Sequence, residues 1–446
     1  MHQYKSTHKI NQIVMNTQNT TKSKFIKTPG RIILHFALAT SLSFLFACNS
    51  DNDENIRHEK LPDAEPIKLR LMEKVETDNS FALDLFKATY KHENNDNIFV
   101  SPLSVSMALS MTLNGAKGAT FEEMKEALRS KNYSIDDINE YNKSLKKALT
   151  EVDKSTEFTI ANSIWYRNDI TVKNDFINVN KDNYDAEIKV LDFSSSGAVG
   201  LINSWCAKHT NNKIDKIIDA ISGDALMYLI NAIYFKGIWV SMFDKKDTGK
   251  EDFFSENING FQKVNMMRQT QTFDYYADEY CRYLSLPYGN KAFSMVVMLP
   301  NDEIAVDDVI SNLNSKRWNE AIEYMRGKLI NLSFPRFKTE CEYKMQESIL
   351  PEMGMTTPFT SYADFSGMFE NINAHISKVI HKTFVEVNEE GTEAAAVTAI
   401  EMELTAISPS EPKPIEYKVN KPFVFAIREN STGVILFIGK MAKIEE

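Results

Sequence analysis

Cysteine is scarce in this chain: four residues among 446, at positions 48, 206, 281 and 341. No two are close in sequence, and an odd number remains after Cys48. Neither a zinc motif nor a disulfide framework is therefore available to hold the fold. Stability has to come from a core, and a hydrophobic content of 43 % supplies one. The eight histidines are scattered, and no H-E-x-x-H, G-x-S-x-G or Walker-type loop occurs. Zinc-protease, serine-hydrolase and P-loop chemistry thus lack their usual residues, and neither cofactor nor metal is expected. Glycine and proline number only 16 and 13 and form no linker after residue 75. One large unit is preferred over the two or three domains that the length would allow.

The first 47 residues contain no acid. Lys22, Lys24, Lys27 and Arg31 precede an apolar run from Ile32 to Ala47. That is the layout of an export signal, so residues 1–47 are set apart from the fold. The run ends Leu45-Phe46-Ala47-Cys48, which resembles a bacterial lipobox, with Cys48 as the lipidated residue. An uncleaved anchor is the alternative, although the run is short for a spanning helix. Met15 is an alternative initiator and would leave a more typical basic region. Residues 48–74 read as the lipidated cysteine and a polar, flexible tether, reaching about Lys68. The acidic start Asn49-Ser50-Asp51-Asn52-Asp53-Glu54 resembles sorting signals of surface lipoproteins. The expected location is the cell envelope, at the outer membrane and facing outward.

Without 1–47 the chain keeps 45 of its 51 basic residues against 61 acids, a net charge of −16. Such a surface disfavours nucleic acid and anionic lipid, so membrane contact would come through the lipid on Cys48. Lys146-Lys147, on a helical segment, could meet a polyanion but fits a solvated face better.

Lysine and arginine are absent from Glu389 to Pro412, and proline is absent from Glu389 until Pro409. Within this stretch Thr392, Ala394, Ala396, Thr398, Ile400, Met402 and Leu404 alternate with the other parity, which holds Glu393, Glu401 and Glu403. A two-residue period is that of a strand with one buried face. The Ala- and Glu-rich first half favours helix or loop instead. A surface helix is the simple alternative, but Gly391 and the run Val397, Thr398, Ile400 suit it poorly. The segment reads as written for two environments, a loop in one state and a buried strand in another.

Glu389-Glu390-Gly391-Thr392-Glu393-Ala394-Ala395-Ala396 resembles the hinge of an inhibitory serpin. Val379–Asn388 resembles the strand that feeds it, and Val419–Phe425 and Phe437–Met441 resemble the family's closing strands. Asn97–Ser104 with Leu113–Gly118, Ala161–Trp165, Asn231–Trp239, Leu284–Tyr288 and Asp364–Met368 resemble further serpin segments. All come in family order over about residues 75–446. The resemblance implies an α+β serpin fold: helices around a large central sheet, further sheets, and an exposed reactive loop over about 389–418. It also implies a mechanism. A protease attacks the loop, forms an acyl-enzyme, and is trapped covalently when the loop inserts into the central sheet. The expected partners are serine proteases, with papain-like cysteine proteases as further targets, and the inhibitor is expected to be monomeric.

By family spacing the scissile bond is Thr405–Ala406, with Leu404, Met402 and Ile407 as alternative bait residues because the loop is long. Small residues here suggest elastase-like or subtilisin-like targets, and the missing cations argue against trypsin-like ones. The resemblance also implies a polar set beneath the sheet, Ser101, Ser104, Asn231 and His381, which holds or releases two strands. Trp239 would stand where the hinge enters. A plain core network is the alternative for these residues. Two other functions stay open at this stage. One is a non-inhibitory binding protein of the same fold. The other is a hydrolase that uses Ser101 or Ser104 with His381.

Overall fold

The computed structural model describes residues 61–255, 260–392 and 413–445. Two long apolar strands near the C-terminus organise the larger of its two sheets. β14 (Phe423–Glu429) and β15 (Ile435–Met441) are buried at every position; their mostly apolar residues are covered on both faces, and Arg428, Glu429 and Lys440 are buried with them. The sheet also contains β1 (Ile98–Val100), β5 (Gly249–Ser255), β6 (Gly260–Ala277), β7 (Cys281–Tyr288), β8 (Phe293–Pro300), β9 (Arg326–Pro335) and β13 (Ile415–Lys418). Its order is β1-β15-β14-β8-β7-β6-β9-β13, with β5 pairing β6.

The second sheet contains β2 (Glu157–Arg167), β3 (Glu187–Leu191), β4 (Met227–Ile238), β10 (Phe337–Lys344), β11 (Ile380–Val387) and β12 (Gly391–Thr392), in the order β10-β11-β12-β4-β2-β3. β10 and β11 alternate buried and less buried residues along their whole length, the period-2 pattern of strands with one core face. Nine helices surround the sheets among the described residues. Four of them matter below: α1 (Lys74–His92), α2 (Pro102–Leu113), α4 (Ile135–Glu151) and α6 (Ala198–His209). α2 starts on Pro102 after the N-cap Ser101, whose side chain accepts from Ser104 N–H. α4 starts on a capping box formed by Ser134 and Asp137.

Most apolar residues join one continuous core. A separate small cluster sits between α6 and the outer face of the second sheet, with Trp165, Ile202, Trp205, Cys206, Ile230 and Ala232 among its members. Cys206, Cys281 and Cys341 are free and buried, so the core does stand in for disulfides.

The tether differs from expectation in its last part. Ala64 N–H donates to Asn290 O, Ile67 N–H donates to Ser431 Oγ, and Lys291 pairs with Asp63 at 2.8 Å. Leu69 is buried. Apolar Ala64, Ile67 and Leu69 dock the strap, a signal that its polar composition hid. Cys48 lies outside the described residues. Lys146 is not a free cation either, since it pairs with Asp185 at 2.8 Å and donates to Tyr184 O.

Candidate functional site: an open slot in the second sheet

β4 and β11 are neighbours in the second sheet, yet among the described residues they share no ladder. They are joined only at one end, through the two residues of β12. Gly391 faces Ile238 and Thr392 faces Gly237 on one side, and Val387 faces Thr392 on the other. Beyond Thr392 lies a cleft with about 340 Å³ of atom-free space, open to solvent. Ile233, Tyr234 and Phe235 form one bank and Phe384 and Val385 the other; Phe99 and Phe437 form part of the floor. Thr210, Lys213 and Ile214, which follow α6, cross above it.

The mouth of the slot is built around the hinge. Thr392 is 2 % exposed, and its hydroxyl lies 2.6 Å from the Tyr288 hydroxyl. Tyr288 stacks on Trp239 with ring centroids 4.3 Å apart. A side chain on Gly237 would strike the Tyr288 ring, 2.7 Å from where its Cβ would stand, so glycine makes room for that ring. Trp239 Nε1 donates to Asn388 O at 3.0 Å, and Trp239 N–H donates to Glu390 O at 2.9 Å. Trp239 therefore stands at the hinge's entry, as its motif implied. A Cβ on Gly391 would lie 2.0 Å from Gly237 O, so only glycine allows this approach of two backbones.

Glu389 and Glu390 are buried, not displayed in a loop. Phe243 N–H holds the Glu389 carbonyl at 2.9 Å. Thr248 donates to the Glu389 carboxylate at 2.9 Å and Arg336 lies 3.6 Å from it, while Lys245 pairs with Glu390 at 2.6 Å. Buried carboxylates need such partners, and the partners come from two separate chain segments, 243–248 and Arg336. Sequence reasoning missed Tyr288, Lys245, Thr248 and Arg336 as hinge contacts. Only Tyr288 carried a signal, as the last residue of a quoted motif. Glu393, Ala394, Ala395, Ala396, Met402, Leu404, Thr405, Ala406 and Ile407 lie outside the described residues.

The polar set beneath the sheet is only partly assembled. Ser101 N–H donates to His381 Nε2 at 2.9 Å, and Ser101 Oγ donates to Leu436 O at 2.8 Å. Ser104 joins through the α2 cap. Asn231 does not join. Its amide donates to Asn162 Oδ1 at 2.8 Å, and its own Oδ1 is buried without a partner. The reason is geometric: Asn231 is on β4, His381 is on β11, and the slot lies between them. Burial pulls the His381 imidazole down to about 3, so it is neutral near pH 7. Its Nε2 already accepts a backbone N–H, and the Ser101 hydroxyl is committed to a carbonyl. Ser101, Ser104 and His381 are all buried, so this set offers no accessible nucleophile and base, which speaks against the hydrolase reading built on it. No cluster of metal-ligating side chains occurs among the described residues.

A sheet whose β4 and β11 are joined only through a two-residue strand among the described residues, with a glycine hinge there and a long connection before the next strand, defines a class. The family model for serpin (serine protease inhibitor) matches residues 76–444. Human Serpin B4 is 36 % identical over 390 residues, covering 82 % of this chain and 98 % of that protein. The native-state crystal structure of the thermophilic serpin tengpin superposes with a TM-score of 0.75 at 32 % identity, covering 86 % of this chain and all of that one. Thyroxine-binding globulin in complex with thyroxine gives 0.74 at 28 %, covering 84 % and all of that chain. The chain belongs to the serpin family and has the serpin fold.

Proposed function

We propose that this serpin is an inhibitory one, a suicide substrate of serine proteases and not an enzyme. The observation that carries this reading is the slot with Thr392 already seated at its mouth. Continuing the β12 register would set Thr398 between Asn231 and His381, on the parity that faces the core. A threonine hydroxyl there would give the orphaned Asn231 oxygen a donor. The same register would bring Met402 level with Met227, the first residue of β4. About ten residues at roughly 3.3 Å each, some 33 Å, would then fill the slot. The following residues, Thr405 and Ala406, form the bond offered to elastase-like or subtilisin-like proteases, and papain-like enzymes are further targets. Strand addition after loop cleavage is a general route to releasing stored strain. Small residues at Thr392, Ala394, Ala396 and Thr398 and the absence of proline suit entry into a central strand.

We further propose that the protein is exported and held at the cell envelope by lipid on Cys48. The targets would then be proteases outside the cell.

The test mixes protein beginning at Asn49 with elastase, subtilisin, trypsin and papain. A denaturant-stable adduct together with a released peptide starting at Ala406 is expected with elastase or subtilisin. Loop cleavage without an adduct across all four would favour a non-inhibitory binding protein. The thyroxine-binding globulin likeness keeps that reading in view.

A further inference from the structure

We propose that the outer rim of the slot holds a receiving site for the carboxylate of Glu393, made by Lys213 and Lys236. This rests on the insertion reading above and adds the residues that guide its first step.

The argument is one of register and parity. Thr392 pairs with Gly237 and Val387, so the next position falls between Lys236 on β4 and Glu386 on β11. Thr392 points into the core at Tyr288, so on insertion residue 393 would point to the opposite face, the one under α6. Lys236 is on that face, since Tyr228, Ile230 and Ala232, of the same parity on β4, belong to the cluster beneath α6. Glu386 is on it too. Lys213, in the segment that crosses the slot, lies 3.5 Å from the Glu386 carboxylate, with its ammonium 4.9 Å from the Phe384 ring centroid.

An entering Glu393 would stand directly across from Glu386, a like-charge cross-strand pair that opposes insertion. Two cations offset this. Lys236, held by Glu157 at 3.3 Å, meets Glu393 from β4. Lys213 can stay beside Glu386 and take the second carboxylate as well. The result is an alternating set in which every acid has a cation. Asn211, whose amide donates to Tyr234 of β4 at 3.1 Å, anchors the Lys213 segment to one bank, while Lys213 itself reaches the other. The cation is thereby held over the path of residue 393. Lys213 and Lys236 act as positioning residues, because the acyl chemistry occurs elsewhere.

The test uses two N-acetylated synthetic peptides spanning Glu393–Leu404, the stretch that follows the seated Thr392, one native and one with Glu393→Gln. Their uptake by the intact protein is followed by native mass spectrometry and by the gain in thermal stability. The wild type is expected to take up the native peptide about five-fold faster than the Gln peptide. Lys213→Met should erase or invert that preference, Lys236→Met should reduce it, and Lys213→Arg should keep it. Equal uptake of both peptides by the wild type overturns the proposal. So does a Lys213→Met effect of equal size on both peptides, which would make the segment a steric gate only. If Lys213→Met does not fold, loss of the wild-type preference in high salt serves as the same test. Uptake of neither peptide would remove the insertion reading together with this one.

Discussion

The two sheets draw on similar residues but close differently. In the nine-stranded sheet every neighbouring pair along β1 to β13 is hydrogen-bonded, and β14 and β15 are buried at all positions. Phe99, Phe423, Phe425 and Phe437 of this sheet stack or meet at a tilt at centroid distances between 5.3 and 6.1 Å. In the six-stranded sheet the middle is joined by one two-residue strand, and the layer below it carries polar groups, one of them unsatisfied. The comparison teaches where this molecule keeps its stability and where it keeps its capacity to change. The closed sheet is paired along its whole path and packed on a largely apolar core, with one buried hydroxyl, Ser255 on β5, lacking a partner. The open sheet holds a buried amide oxygen, that of Asn231, without a partner at the edge of the slot.

The sharpest way to break this contrast is to load the slot's mouth. Thr392→Arg places a charge where the wild-type side chain is 2 % exposed, at a cost of several kcal/mol once buried without a partner. Adduct formation should fall more than about a hundred-fold while loop cleavage continues, as seen on denaturing gels. An unchanged adduct yield would separate inhibition from this slot altogether. Phe425→Ala should act on the other sheet. It should cost about 3–5 kcal/mol in denaturant unfolding, yet leave the adduct-to-cleavage ratio of the folded protein unchanged.

A smaller effect lies in the pH dependence of the polar layer. His381 is depressed from 6.5 to about 3 by burial, so between those values the unfolded chain binds a proton that the folded chain refuses. Stability should therefore fall as pH drops below 6.5, by up to about 1.4 kcal/mol per pH unit from this one group. His381→Gln should lose that contribution, which denaturation midpoints at pH 6.5, 5.5 and 4.5 would reveal. The smallest change expected is at the hinge. Trp239→Phe removes the bond to Asn388 O, worth about 1 kcal/mol, and should raise amide exchange at Gly391 and Thr392 about five-fold without unfolding the sheet.

Much of this was legible in the chain itself. Of the alternation that begins at Thr392 only that first residue lies among the described residues, and it points inward from the end of β12. Trp239 and Gly391 were readable through the resemblance of their motifs, and the structure adds that only glycine at 391 allows its contact with Gly237 O. Asn231 was not, because its partner depends on whether β4 touches β11, and that depends on the width of a gap rather than on residue type. The salt bridges of Glu389 and Glu390 were equally hidden: Lys245 and Arg336 are ordinary charged residues, brought close only by tertiary structure. The docked strap was misread for the opposite reason. A polar composition hid Ala64, Ile67 and Leu69, three residues that pack it on the core.

The two residues of β12 bear on time as well as on shape. Adding a strand resembles closing a zipper, in which the first rung is slow because two edges and a free chain must be aligned before any tooth engages. Here the first rung is closed in the resting molecule, with Gly391 and Thr392 already in register on both sides. In the proposed mechanism a cut loop need not search for its track. It has only to run, and the interval in which a captured protease could complete its hydrolysis is shortened to the time of that run.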